Sequence, residues 1–159
     1  MTKPLMLLAL LSLPAMAAEP PKVAVFDFKF VNTSGVADTP EETARTTRLT
    51  TQLQAGLRAN DRYTVLDVAP IRSKLARVDS IRGCNGCQLD LARELGGQQS
   101  AYGWVQKVSN LILNVNVVIE DAATGRVIKA DSVDIRGNTD ESWTRGLRYL
   151  LNERFFRED

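Results

Sequence analysis

Cys84 and Cys87 are the two cysteines of the chain, and only Asn85 and Gly86 separate them. In an exported protein, such a lone pair is most simply a structural disulfide. A second interpretation is a thiol-redox pair, because a CxxC motif at a helix N-terminus lowers the pKa of a thiol. A third is a metal site or a site shared between subunits, for which the chain offers two thiolates where zinc takes four ligands. The sequence leaves these alternatives open.

The densest polar stretch of the chain runs from Asp134 to Arg145 and spans a strand end, a turn and a helix start. One interpretation is purely local, because Asn138 and Thr139 suit a helix cap, Gly137 suits a turn and Trp143 suits the core. The other is a recognition surface in which charged side chains lie beside an aromatic one. Its candidate partner-binding residues are Arg136, Asn138, Asp140, Trp143 and Arg145.

The residue types exclude several kinds of catalytic site. The chain has no histidine, so it has no Ser-His-Asp triad, no Cys-His pair and no histidine-ligated metal. Asp140 and Glu141 are adjacent, and neighbouring helix residues point about 100° apart, so they cannot act together on one substrate bond. Gly96-Gly97 follows a helix pattern, whereas a phosphate-binding loop precedes a helix. We therefore expect a protein that is not an enzyme and carries no cofactor or metal.

The first 17 residues have the pattern of a secretory signal peptide. Lys3 precedes an apolar run from Leu5 to Leu13, and Ala15-Met16-Ala17 forms a small-x-small cleavage site. The run is shorter than the roughly 20 residues that a membrane-spanning helix needs. No cysteine follows the cleavage site, so we expect a soluble periplasmic protein without a lipid anchor.

The charges of the remaining chain are balanced. The whole sequence carries 20 basic and 19 acidic residues, and the predicted signal peptide contains one lysine and no acid. The exported part is therefore neutral, which removes the electrostatic footprint expected for binding nucleic acid or an anionic membrane. We expect its partner to be another periplasmic or outer-membrane-associated protein, and a homo-oligomer is compatible with the same data.

Residues 23–156 are predicted to form a single α/β sandwich domain, which residues 18–22 precede as an extended tail. Val23–Phe30 is a predicted strand with apolar residues on both faces. Thr39 and Glu42 fit a capping box that begins a long helix, whose buried stripe recurs every four residues. That stripe consists of Leu49, Leu53 and Leu57.

The rest of the pattern predicts a second strand, two short helices, three hairpin-linked strands and a final helix. The strands are Tyr63–Val68, Ala101–Val108, Leu111–Glu120 and Arg126–Ile135, and the helices are Ala69–Arg77, Gln88–Leu95 and Asp140–Arg154. Ser109-Asn110 is the predicted two-residue turn of the first hairpin. The predicted fold class is α+β, with a single mixed β-sheet of about five strands in the order β-α-β-α-α-β-β-β-α and helices packed on it.

Several strand and turn motifs resemble a known exported domain. They are Val23–Phe28, Arg62–Asp67, Tyr102–Val108 and Thr124-Gly125. Over most of its length the chain resembles the α/β domain shared by the amino-terminal part of the Tol-system β-propeller protein, the curli secretion subunit and lipoprotein activators of penicillin-binding proteins. Because these motifs specify strands and turns, the resemblance implies a fold and no catalytic residue.

Two segments, Gly103–Leu111 and Asp134–Trp143, resemble more closely an uncharacterised family of small exported bacterial proteins. This resemblance implies an association with periplasmic quinoprotein alcohol-oxidation systems. We therefore predict a non-catalytic periplasmic accessory module that binds another protein through the sheet edge or the Arg136–Arg145 segment. The alternatives are a thiol-disulfide redox protein that uses Cys84 and Cys87, and a carrier of a small molecule or cofactor.

Overall fold

The computed structural model describes residues 18–157, so the predicted signal peptide lies outside the described residues. Within this range, six strands and four α-helices follow one another along the chain. The strands are β1 (Lys22–Val25), β2 (Lys29–Asn32), β3 (Thr64–Val65), β4 (Gln99–Lys107), β5 (Ile112–Asp121) and β6 (Val127–Arg136). The helices are α1 (Pro40–Arg58), α2 (Arg72–Leu75), α3 (Cys87–Glu94) and α4 (Asp140–Leu150), with 3₁₀ turns at Ala69–Ile71 and Ile81–Gly83 and a π-helical turn at Leu151–Phe155.

The six strands described above belong to one mixed sheet, in which β4 is the central strand. Across the sheet the order is β3-β1-β4-β5-β6, and β2 pairs with β4 beyond the end of β1. β1 and β2 run parallel to β4, and β1 also pairs in parallel with β3. The strands β4, β5 and β6 form an antiparallel meander. The predicted α+β class with one mixed sheet is confirmed, with one strand more than expected.

The additional strand arises because the predicted strand Val23–Phe30 is interrupted. Val25 pairs with Ala101, whereas Lys29 pairs with Trp104, so this segment contains one more residue than the facing part of β4. An extra residue of this kind bends a strand and shifts the alternation of its side chains.

The interruption between β1 and β2 places the Phe28 side chain in the core. Val25 faces α1 and α4 before the interruption, and Phe28 and Phe30 face the same side after it. The Phe28 backbone N–H donates to Thr50 Oγ1 of α1 at 2.9 Å. The Phe28 ring lies on Gly103, where a Cβ atom would come within 2.4 Å of the ring. The glycine therefore leaves room for the aromatic side chain to cover β4.

Two hydrophobic layers cover the two faces of the sheet. The larger layer packs α1 and α4 against one face, and the predicted stripe of Leu49, Leu53 and Leu57 is buried there. The smaller layer packs the first 3₁₀ turn and α3 against the other face, around Phe26 and Tyr102. The sheet is therefore the middle of three layers.

The hairpin between β4 and β5 is longer than the predicted two-residue turn at Ser109-Asn110. Residues 108–111 connect the two strands. The Ser109 hydroxyl accepts hydrogen bonds from the N–H groups of Leu111 and Ile112, at 3.2 and 3.1 Å. The Ile112 N–H also donates to the Ser109 carbonyl, so Ser109 closes this four-residue connection with both its side chain and its main chain.

Two other elements differ from the prediction. Of the predicted strand Tyr63–Val68, only β3 pairs with a neighbour. Asp67 Oδ1 then accepts from the Ala69 N–H at 2.9 Å and turns the chain into the first 3₁₀ turn. The predicted final helix Asp140–Arg154 divides into α4 and the π-helical turn that follows it.

Candidate partner-binding site

The candidate residues lie where β6 ends and α4 begins. Gly137 makes the turn between them with a φ of +84°, a conformation that glycine adopts without strain. Thr139 caps α4, because its hydroxyl accepts from the Ser142 N–H at 3.2 Å. The Ser142 hydroxyl donates to the Arg136 carbonyl at 2.8 Å. These local bonds fix the start of α4 against the end of β6.

Asn138 connects three parts of the fold through its side chain. Its amide nitrogen donates to Glu42 Oε1 at 2.6 Å and to Asn110 Oδ1 at 3.3 Å. Its amide oxygen accepts from Trp143 Nε1 at 3.0 Å and from Arg45 Nη1 at 3.2 Å. Asn138 thereby joins α1, the β4–β5 hairpin and α4, and it uses both donors and both acceptor positions of its amide.

Glu42 is buried next to Asn138 and pairs with a buried lysine. Lys107 Nζ lies 2.6 Å from Glu42 Oε1, and the two side chains are 2% and 0% exposed. The Thr39 N–H donates to Glu42 Oε2 at 2.9 Å and completes the predicted capping box. Burial acts to raise the pKa of the Glu42 carboxyl, but the hydrogen bonds from Lys107, Thr39 and Asn138 outweigh burial and lower that pKa. The surroundings therefore favour the ionised carboxylate.

Asp140 is the exposed end of the same network. Its Oδ1 accepts from Arg45 Nε at 2.7 Å and lies 2.8 Å from Arg48 Nη2, both on α1. The hydrogen bond from Arg45, together with the charges of both arginines, holds the pKa of Asp140 below its usual value. Arg45 also lies over the Trp143 ring, 5.9 Å from its centroid. Two arginines of α1 thus contact the exposed carboxylate of Asp140.

Trp143 lies in the core. It is 1% exposed, and its ring centroid is 5.6 Å from that of Phe30. This burial agrees with the local interpretation, in which Trp143 belongs to the core, and it corrects the choice of Trp143 as a candidate partner-binding residue, because the side chain offers no surface. Its contribution is to position Asn138 through the indole N–H.

Arg136 and Arg145 lie apart from the Asn138 network, on a groove between β6 and α4 that we call the β6–α4 groove. Both arginines are exposed, and Arg145 Nη1 lies 3.3 Å from Glu141 Oε1. The groove has a volume of about 380 Å³. Its other lining residues are Val133, Asp134, Ile135, Ser142, Gly146 and Tyr149. The structure therefore divides the predicted site residues between a network and a neighbouring groove.

Lys107 and Arg45 belong to the site but were not predicted from the sequence. The sequence does contain an indication for Lys107. It lies two residues after Val105, so both side chains are on the buried face of β4, where a charge requires a partner. Arg45 follows Glu42 by three residues, so the two share one side of α1. Neither pattern indicates that Asn138 connects these residues with Glu42.

Cys84 and Cys87 form a disulfide with a Cα–Cα distance of 5.5 Å. Cys84 follows the second 3₁₀ turn, and Cys87 is the first residue of α3. Asn85 and Gly86 between them adopt positive φ values of 56° and 96°. The predicted disulfide is therefore present, and it ties the preceding loop to the start of α3.

A second polar cluster lies beside the disulfide, on the face of the sheet that α3 covers. Gln88 Nε2 donates to Glu120 Oε2 at 2.9 Å, and the Tyr102 hydroxyl donates to Glu120 Oε1 at 3.2 Å. Burial raises the pKa of Tyr102 to about 12, and the Glu120 charge and hydrogen bond act in the same direction. Arg82 lies over the Trp104 ring at 4.6 Å. Because these side chains satisfy one another, the cluster is structural.

Residues 18–157 contain no group of three cysteine or acidic side chains placed to hold a metal ion. No helix in the same range is long and apolar enough to cross a membrane. The junction of β6 and α4 presents the polar side chains of the Asn138 network beside the β6–α4 groove.

A family model accounts for most of the chain. The model DUF3280, described as "Protein of unknown function (DUF2380)", matches residues 21–155. The chain belongs to the DUF3280 family. This match confirms the expected membership of an uncharacterised family. No curated protein matches the sequence.

Solved structures share the fold of this DUF3280 member. The PelC dodecamer from Paraburkholderia phytofirmans aligns with a TM-score of 0.56 at 16% identity, over 91% of this chain and 94% of that chain. The LpoB C-terminal domain from Salmonella enterica aligns with a TM-score of 0.55 at 15% identity, over 77% and 87%. Lipoprotein GNA1162 from Neisseria meningitidis aligns with a TM-score of 0.51 at 15% identity, over 76% and 84%. At these identities the likeness establishes the fold alone.

Proposed function

We propose that this protein is a non-catalytic accessory module of the cell envelope that binds another protein. The proposed binding surface, at the junction of β6 and α4, consists of Arg136, Asn138, Asp140 and Arg145. The observation that carries the proposal is the fixed geometry of this junction. Asn138 is held by four hydrogen bonds, and Asp140 is held by two arginines. A surface ordered before binding loses little conformational entropy on association.

The proteins of similar fold support protein binding as the function. PelC is a dodecamer, and GNA1162 is a lipoprotein. By analogy, we propose an envelope location for this chain, and either a second copy or another envelope protein as its partner. The route through a signal peptide, without a lipid anchor, is proposed from the sequence alone. The relation to the Tol-system and curli domains remains a prediction from the sequence.

A periplasmic quinoprotein alcohol-oxidation system is the first partner to test, because the sequence resemblance implies it. The tagged protein is expressed in its source organism, and retained envelope proteins are identified for three forms. These are the wild type, Arg136→Glu/Arg145→Glu, and the control Arg72→Glu/Arg77→Glu, which makes the same change of charge at two exposed residues on the other face of the sheet. The proposal predicts a partner that the wild type and the control retain and the first variant loses. Equal retention by all three forms would refute it.

The position of Cys87 favours a second candidate function, thiol-disulfide exchange. Cys87 is the first residue of α3, and a helix N-terminus stabilises a thiolate. The reduction potential of the Cys84–Cys87 pair distinguishes the two functions. A value between about −120 and −230 mV would favour exchange, and a value below about −300 mV would mark a structural disulfide.

A further inference from the structure

β6 is an edge strand, and no other strand of residues 18–157 pairs with its outer side. Its inner side pairs with β5 from Val127 to Arg136. An extra residue at Ile128 interrupts this register near the start of the strand. A bulge of this kind prevents regular pairing with a further strand at that point. The regular outer edge of β6 therefore runs from Lys129 to Arg136.

The β6–α4 groove follows the second half of this edge. Val133 and Ile135 line it from β6, and Tyr149 lines it from α4 with 49% of its surface exposed. Gly146 brings α4 close to β6, because a Cβ atom there would lie 2.4 Å from Ile135 Cγ2. A strand added to β6 would lie about 4.8 Å from it, and every second side chain of that strand would face the groove.

The charges at this edge favour an acidic partner. Arg136 is exposed and forms no ion pair within residues 18–157. Arg145 pairs with Glu141 at 3.3 Å, but both side chains are largely exposed, so a competing carboxylate displaces this contact at little cost. Asp134 is the one acidic residue of the groove lining, and its Oδ1 accepts from Asn114 Nδ2 at 2.8 Å. The groove lining thus carries two arginines and one carboxylate, a net positive charge.

We propose that the outer edge of β6 binds an extended acidic segment of a partner protein by strand addition, an inference that rests on the proposed protein-binding function. The main chain of the segment pairs with β6 between Val133 and Arg136. One apolar side chain enters the groove beside Tyr149, and acidic side chains lie next to Arg136 and Arg145. In this mode the main-chain bonds provide affinity and the alternate side chains provide specificity.

A phage-displayed library of random linear peptides, selected on the folded protein with Cys84 and Cys87 oxidised, tests the inference. We expect the selected peptides to alternate apolar and acidic residues. Their affinity should fall about tenfold or more in Arg136→Glu/Arg145→Glu and stay unchanged in Arg72→Glu/Arg77→Glu. N-methylation of alternate peptide amides should abolish binding, because it removes the main-chain donors. Amide hydrogen exchange along β6 should slow when the peptide binds.

Three results would overturn strand addition: selected peptides without acidic residues, equal binding by the two double variants, or unchanged exchange along β6. The proposed function is judged separately. If the envelope partner is lost from Arg136→Glu/Arg145→Glu while no peptide protects β6, the surface binds a folded face and the proposed function stands. If no envelope protein depends on Arg136 and Arg145, the proposed function fails whatever the peptides show.

Discussion

The indole N–H of Trp143 donates to Asn138 Oδ1 across 3.0 Å and so connects the core to the proposed binding surface. Trp143 is packed against Phe30, whereas Asn138 lies in the turn before α4. The position of the surface is therefore coupled to the packing of the core. Variants of the Asn138 network should change stability and binding together, and variants of Arg136 or Arg145 should change binding alone.

Asn138→Ala is expected to lower the free energy of unfolding by about 2–4 kcal/mol, because it leaves the Trp143 indole N–H buried without a partner and removes a hydrogen bond to Glu42. Asn116→Ala is the matched control, since Asn116 makes one hydrogen bond of 3.4 Å on the half-exposed face of the sheet. Urea unfolding followed by tryptophan fluorescence measures both. Equal losses in the two variants would contradict a central role for Asn138.

Lys107→Met is expected to destabilise the protein by about 3–5 kcal/mol, because it leaves the Glu42 carboxylate buried without its counter-charge. Glu42→Gln/Lys107→Met should be more stable than Lys107→Met, since no buried charge then remains unpaired. A double-mutant cycle of unfolding free energies measures this coupling. Strictly additive losses would show that the two side chains do not act as a pair.

The lowered pKa of Glu42 gives the stability a specific pH dependence. Its carboxyl has a pKa below the ordinary 4.5 in the folded protein, so the unfolded chain binds the proton more tightly. The stabilisation is therefore fully present above about 4.5 and is lost as the pH falls through the lower folded-state pKa. Glu42→Gln should flatten the acid limb of a plot of unfolding free energy against pH, and the exposed neighbour Glu41→Gln should not. Parallel curves for Glu42→Gln and wild type would refute the assignment.

The Cys84–Cys87 disulfide closes a very short loop, so its contribution to stability should be small. Cys84→Ser/Cys87→Ser is expected to lower the free energy of unfolding by about 2 kcal/mol in the chain-entropy account. Partner capture by this variant should match the wild type if the disulfide is structural. If this variant is folded but no longer captures the partner, the result would indicate that the function uses thiol chemistry.

Local patterns in the sequence predicted the elements that depend on near neighbours. The capping box of Thr39 and Glu42 and the stripe of Leu49, Leu53 and Leu57 are confirmed, because each follows from spacing within one helix. The polar turn before α4 was likewise visible as a cluster of capping residues. These are features that helix geometry imposes on adjacent turns.

Spacing within one helix or strand does not predict contacts between residues that are far apart in the sequence. Glu42 and Lys107 are 65 residues apart, and their pairing depends on how α1 packs on β4. The interruption between β1 and β2 depends on Gly103 and Phe28 meeting across the sheet. The sequence left both a core role and a partner-binding role open for Trp143, and the choice between them required the position of Phe30.

Site-specific photo-crosslinking tests the central claim most directly. A photoreactive amino acid replaces Arg145 on the proposed surface or, as the control, Arg58 at the end of α1, and the cells are irradiated. The account predicts that position 145 crosslinks to one defined envelope protein or to a second copy of this chain, and that position 58 does not. No adduct at position 145, or the same adducts from both positions, would contradict a binding surface at the junction of β6 and α4.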